Sequence, residues 1–144
     1  MSETIKLDVV SPTRQVYAGD VAELVAPGLE GEFGVLPGHA EALIQLQIGT
    51  LRLKAGGTES LLFINQGYAE VGAAQVTVLA ESAEAATDID IARAMEAKRR
   101  AEERLKLKQE DVDFQRAELA LQRALIRIQI AEKNQTRSLR AHRG

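Results

Sequence analysis

The chain has 144 residues, 45% of them hydrophobic and 3% aromatic, with a formal net charge of −3. That length suits one domain with an appendage, and the core must be aliphatic, which argues against stacking platforms for single-stranded nucleic acid. With no cysteine and only His39 and His142, a disulfide framework, a thiol nucleophile, a cysteine zinc site and a His-rich metal centre are excluded.

No apolar run reaches the length of about 18 residues needed to span a membrane. The opening M-S-E-T-I-K-L-D lacks a basic, then apolar, leader pattern, so the default expectation is the cytoplasm. The net charge hides an asymmetry. Residues 1–87 carry 4 basic and 11 acidic side chains, and residues 88–144 carry 14 basic and 10 acidic ones. Ten acids among the arginines speak against a generic nucleic-acid arm, because they would repel backbone phosphates.

Ile5 to Val10 alternates as a half-buried strand closed by Ser11-Pro12-Thr13, and Val21 to Ala26 is stopped by Pro27-Gly28. Gly31 to His39, G-E-F-G-V-L-P-G-H, predicts tight turns that bury Phe33, Val35 and Leu36. Strands at Leu43–Leu46 and Thr50–Lys54 lead to a compact turn at Ala55-Gly56-Gly57. Leu61–Asn65, Tyr68–Val71 and Gln75–Leu79 complete about eight strands, with Gly67 and Gly72 as turns. The spacing predicts an antiparallel β-sandwich or flattened barrel over 1–86. Its acids Glu30, Glu32, Glu59 and Glu70 are expected in solvent. His39, near Glu41, has no nucleophile motif beside it, and no P-loop or G-x-G-x-x-G pattern occurs.

Residues 87–144 change period and contain no Gly or Pro before Gly144. Thr87 and Asp90 form a Thr-x-x-acid helix start. Ile91, Ala94, Met95, Ala97, Ala101 and Leu105 make one apolar seam; Phe114, Ala117, Leu121, Ala124, Ile128 and Ala131 make another. Helices of about 17 and about 25 residues, roughly 25 and 38 Å long, are expected. Asp111 or Asp113 would cap the second, and the two would form an antiparallel hairpin turning near Gln109. Leu119, Ile126 and Ile130 form a further stripe that one partner helix cannot cover, and the tail after Asn134 is expected to fray.

Arg93, Arg100 and Arg104 share one stripe, and Arg116, Arg123 and Arg127 repeat its spacing. The hairpin register brings Arg93 toward Arg123 and Arg127, with Asp90 close by. Three readings fit: a face ion-paired with Glu96, Glu103 and Glu118, an anionic ligand, or an acidic protein partner. Asp90 can accept hydrogen bonds from a ribose or a base amine.

Taken together, L-D-V-V-S-P, G-E-F-G-V-L-P-G-H-A, Y-A-E-V, V-T-V-L-A and D-I-D-I-A-R-A-M-E-A-K-R-R-A-E resemble the epsilon subunit family of F-type ATP synthase. The resemblance covers almost the whole chain. It implies a β-sandwich of residues 1–86 docked on the gamma subunit and the membrane c-ring, and a regulatory helical hairpin of residues 87–144. It implies a rotor subunit without catalytic residues or a metal site, peripheral on the cytoplasmic face of the bacterial inner membrane, which touches the membrane only through its complex. It further implies that the hairpin folds down or extends toward the alpha and beta subunits, where its basic face meets an acidic loop of beta and restrains ATP hydrolysis.

In some members the folded hairpin binds ATP through an Ile/Leu-Asp-x-x-Arg-Ala motif, matched here by Ile89, Asp90, Arg93 and Ala94. The family's preceding glutamate falls on Glu84 and its second-helix arginines on Arg123 and Arg127. A further arginine falls on Arg99 or Arg100, with Arg100 taken. ATP is thus expected as a regulatory ligand, with or without magnesium, rather than as a tightly bound cofactor. The alternative is a purely structural coupling subunit with no nucleotide sensing. The sequence departs from the family at Asn65-Gln66-Gly67, where Ser-Gly-Gly is usual, and at Glu41, where proline is usual; both bear on the gamma and ring contacts.

Overall fold

Alternating side chains dictate the first half of the chain. The computed structural model describes residues 3–107 and 110–143, with side chains as far as residue 137. In chain order the strands are β1 Ile5–Val10, β2 Gln15–Val21, β3 Glu23–Gly28, β4 Gly31–Val35, β5 Ala42–Leu46, β6 Gly49–Ala55, β7 Thr58–Val71 and β8 Gln75–Ala85. A 3-10 turn, Ala86–Asp88, then leads to helices α1 Ile91–Leu105 and α2 Asp111–Arg143. The chain divides into two compact units, Met1–Ala85 and Ala86–Gly144.

In the first unit the strands run β2-β1-β8-β7-β5-β3-β4, and β6 pairs with both β3 and β7, folding the sheet into a sandwich. Ile5, Leu7 and Val9 of β1, Leu51 and Leu53 of β6, and Val76 and Val78 of β8 alternate inward and fill the core. All pairings are antiparallel except β1 with β8, which is parallel. This departs from the purely antiparallel expectation and requires the whole intervening chain as its crossover. Ala55 pairs with Thr58 across Gly56 and Gly57, both at positive φ (58° and 79°), which gives the tight hairpin turn that two glycines favour.

β7 corrects the sequence reading. Leu61–Asn65 and Tyr68–Val71 are parts of one 14-residue strand, and Gly67 is no turn. The first part of β7 pairs with β6 and the last part with β5, while β8 accompanies both. A Cβ on Gly67 (φ 149°) would sit 2.0 Å from the Leu79 carbonyl oxygen, so this glycine permits a close crossing of backbones. Its neighbour Gln66 takes φ 56°, a left-handed conformation that glycine favours. One further expectation fails here. Val35 is buried and Phe33 half-buried, but Leu36 is 58% exposed at the tip of its turn. Glu32 lies in solvent as expected, where it pairs with Arg52 at 2.9 Å on the surface.

In the second unit α1 has 15 residues and α2 has 33. Instead of fraying after Asn134, α2 continues to Arg143, since no Gly or Pro intervenes to stop it. Its first internal hydrogen bond runs from the Phe114 N–H to the Glu110 carbonyl. Glu110 therefore holds the cap position, and Asp111 and Asp113 lie in the first turn, where carboxylates favour the positive end of the helix. The turning point placed at Gln109 lies outside the described residues.

Gly67→Ala is expected to lower stability by about 3 kcal/mol, because backbone must move to admit the methyl group. Gln66→Gly, one residue away, should raise it by about 0.5–1 kcal/mol through release of left-handed strain. Denaturant titration of the full chain measures both, and equal small effects would contradict the crossing described at Gly67.

Candidate functional site

Five alanines build the hairpin. Ala94 and Ala101 on α1 and Ala117, Ala124 and Ala131 on α2 are all at most 4% exposed, and the two helices pack against each other. Seven residues separate successive members, close to two helical turns, so each set lies in one line. A single antiparallel register sets Ala101 level with Ala117 and Ala94 level with Ala124. The larger residues predicted for the seam do not all enter it. Met95 is 56% and Phe114 40% exposed, while Leu105, Leu121 and Ile128 are half-buried at its sides. Of the further stripe, Ile130 is buried, Ile126 half-buried and Leu119 exposed.

The seam determines where the charges go. Arg93, Arg100, Arg116 and Arg123 each come one residue before one of these alanines. One residue is about 100° of rotation, and in an antiparallel pair the positions preceding the facing residues lie along the same edge. The four guanidinium-bearing residues therefore line one edge of the hairpin. The positions just after the alanines, Met95, Glu102, Glu118 and Leu125, line the other. Arg127, three residues past Ala124, and Asp90, four before Ala94, fall on the arginine side. Arg116 was not among the expected site residues. The repeated Arg-Ala dipeptide is the sequence signal that finds it.

Among the described residues none of Arg93, Arg100, Arg116 and Arg123 makes a salt bridge. Arg99 takes the carboxylates expected to neutralise the stripe, meeting Glu96 at 2.6 Å and Glu103 at 2.7 Å. It lies five residues from Ala94, at the back of α1, which separates it from Arg100 on the edge. These hydrogen bonds from Arg99 hold the Glu96 carboxyl below its ordinary value. Glu96, and then Glu103, push the Arg99 guanidinium above its own.

The helix start also differs from expectation. Thr87 lies in the 3-10 turn, and the N-cap of α1 is Asp90 (φ −87°, ψ 106°). Its Oδ1 accepts a hydrogen bond from the Arg93 backbone N–H at 3.1 Å, and its carbonyl accepts one from Ala94 at 3.0 Å. No Asp90–Arg93 ion pair forms. Ile89, just before the cap, is 8% exposed. The 3-10 turn packs on α2 within the same unit. Ile89, Asp90, Arg93, Ala94, Arg100, Arg123 and Arg127 thus belong to the hairpin unit, whereas Glu84 belongs to the first unit, half-buried on β8 opposite Phe63.

In the first unit His39 is half-buried, and its Nδ1 donates to the Ala40 carbonyl at 2.7 Å. Among the described residues no group of three or more His, Asp or Glu is placed to hold a metal ion. The outer sheet face has an apolar strip. Gln45, Tyr68, Leu79 and Val10 follow one another across β5, β7, β8 and β1, and with Leu29 they line an open groove of about 580 Å3. Leu29, Tyr68 and Leu79 are all exposed there. Exposed apolar strips of this kind mark contact surfaces. Among the described residues no helix is long and apolar enough to cross a membrane.

Residues 4–86 match the family model for the beta-sandwich domain of the ATP synthase delta/epsilon chain, and residues 87–132 match that for its long alpha-helix domain. The ATP synthase epsilon chain of Syntrophobacter fumaroxidans is 49% identical over 133 residues, covering 92% of this chain and 99% of the relative. That of Nitratidesulfovibrio vulgaris is 51% identical over 130 residues, covering 90% and 97%. A chain in the cryo-EM structure of the Euglena gracilis mitochondrial ATP synthase (OSCP, F1 and c-ring) superimposes with a TM-score of 0.75 at 25% identity, covering 84% of this chain and 77% of its own. A chain of the Tetrahymena thermophila mitochondrial central stalk and c-ring shares the fold, with a TM-score of 0.63 at 9% identity.

The Arg99 triad gives α1 a pH signature. Because the Glu96 carboxyl is held below its ordinary value, its support is present at neutral pH. That support is lost as pH falls below the ordinary glutamate range of about 4.3. Circular dichroism between pH 5 and pH 3 should show a loss of helicity that Arg99→Gln reduces, and an identical acid transition in both chains would contradict the assignment.

Proposed function

We propose a function from one premise: the chain belongs to the ATP synthase delta/epsilon family, and its similar relatives are epsilon chains. It serves as a central-stalk rotor subunit that couples proton translocation to ATP synthesis and carries out no catalysis itself. The sandwich docks on the gamma subunit and the c-ring. The apolar strip at Leu29, Tyr68 and Leu79 and the exposed Leu36 turn support this, as surfaces that a free body would not favour. The protein sits peripherally on the cytoplasmic face of the bacterial inner membrane, held there through its complex.

The hairpin regulates ATP hydrolysis. Folded, it holds ATP along its arginine edge through Arg93, Arg100, Arg123 and Arg127, with Ile89, Asp90 and Ala94 building the helix start. Extended, it offers the same edge to an acidic loop of the beta subunit, beside alpha, and restrains hydrolysis. One observation carries this reading: four guanidiniums on one edge, none in a salt bridge among the described residues. Such an edge repels itself, and triphosphate oxygens or carboxylates relieve it by charge-assisted, forked hydrogen bonds. A purely structural coupling role is the second reading. It is favoured by the motif itself, since Ile89, Asp90 and Ala94 all have work to do in starting α1.

The full chain should inhibit the ATPase of its cognate complex, and truncation after Ala86 should relieve that inhibition; unchanged hydrolysis would remove the regulatory role. Calorimetry should detect ATP binding, weakened roughly tenfold or more by Arg93→Ala or Arg123→Ala, since each removes a charged hydrogen-bond donor. No binding at millimolar ATP would leave the structural reading.

A further inference from the structure

We propose that Gln66 is the polar anchor of the sandwich's docking groove, its amide held for a peptide group of the gamma subunit; this rests on the docking reading above and names a residue within it. Among the described residues Gln66 is the one non-glycine position at positive φ, 56°. A side chain there crowds its own backbone, and such a conformation persists only where the surroundings impose it or a function uses it. Along β7 the pairing passes from β5 to β6 at this point. Gly67 faces Leu46 and Ile64 faces Gly49, so Asn65 and Gln66 have no partner residue on either strand. On the other side Gly67 faces Ala80 and Asn65 faces Ser82, which sets Gln66 level with Glu81 of β8.

No contact of the Gln66 amide within the chain offsets that strain. Gln66 is half-buried and lines the groove beside Tyr68 and Leu79, yet its amide makes no hydrogen bond among the described residues. Gln47, in the same groove, shows the contrast, since its Nε2 donates to the Gly28 carbonyl at 2.9 Å. An amide side chain donates and accepts at once, and its natural complement is a peptide group, which does the same. Apolar contact over Leu29, Tyr68 and Leu79 would exclude water around that pair, where a hydrogen bond left unmade costs most. The groove is thus built to meet an apolar side chain of gamma on its strip and a peptide group beside it at Gln66.

The test separates the amide from the backbone that carries it. The full chain, unaltered or carrying Gln66→Gly, Gln66→Met or Tyr68→Asp, is titrated into its cognate complex of alpha, beta and gamma subunits freed of this subunit. The denaturant midpoint of each chain is measured beside its affinity. Methionine matches glutamine in length without the amide, and it avoids setting a second carboxylate level with Glu81. Gln66→Gly should raise the midpoint and yet bind about tenfold more weakly, and Gln66→Met should leave the midpoint near its place and bind about fivefold to tenfold more weakly. Unchanged affinity in either Gln66 variant, with Tyr68→Asp still weakening the complex, would overturn the inference alone and leave the left-handed turn as a consequence of the Gly67 crossing. Unchanged affinity in a folded Tyr68→Asp chain would overturn the docking reading and this inference with it.

Discussion

The alanine seam between α1 and α2 is the constraint on which the rest of the hairpin depends. Ala94, Ala101, Ala117 and Ala124 are small enough to let two backbones approach and are spaced to stay in line. At about 0.8 kcal/mol per buried methylene-sized group, such a seam contributes little beside one built from leucines. It gives registration more than strength. Because each of the four alanines follows an arginine, closing the seam also gathers four guanidiniums on one edge. The association of the helices and the self-repulsion of the edge are thus opposed, and the anion proposed as ligand would relieve the opposition. A ligand with differential affinity for the closed arrangement is what a population shift requires.

The sandwich works differently. Its strands are held by alternating aliphatic side chains and a crossing at Gly67 that admits no side chain. β7 changes partner from β6 to β5 along its length while β8 stays beside it, and so the sheet folds over without a break. This leaves Tyr68 and Leu79 facing outward in an apolar strip, on a body whose charge is acidic. A rigid acidic body with an apolar contact strip and a basic, weakly zipped hairpin are physically distinct devices, and the delta/epsilon family carries them in one chain.

Much of this was readable in the sequence, and the failures have physical causes. Period-2 alternation located the strands, but Gly67 reads as a turn because glycine's two uses, left-handed turning and close backbone approach, look alike in a sequence. Three- and four-residue spacing located the helices and their facing sides. It also admitted Met95 and Phe114, because periodicity reports direction and not depth, and only small residues fit where the backbones are close. The Thr-x-x-acid pattern puts the helix start at Thr87, three residues early, because the same spacing fits a cap at Asp90, whose side chain accepts from the Arg93 amide. Arg99 and Arg100 are adjacent and look alike in a sequence; the helix packing puts Arg99 at the back with Glu96 and Glu103, and Arg100 on the edge. Arg116 belongs to the arginine stripe but lies outside the family motif, and the Arg-Ala repeat is what puts it on the edge.

The central claim is that the closed hairpin, in the register Ala94 with Ala124 and Ala101 with Ala117, is the form that holds ATP. The chain has no cysteine, so the pair Ala101→Cys and Ala117→Cys can be joined without interference. The most direct measurement is the ATP affinity of that chain in its oxidised and reduced forms. The account predicts that the disulfide forms readily and that the oxidised chain binds ATP at least as tightly as the reduced one. Failure of the two cysteines to pair, or loss of ATP binding on oxidation, would contradict it.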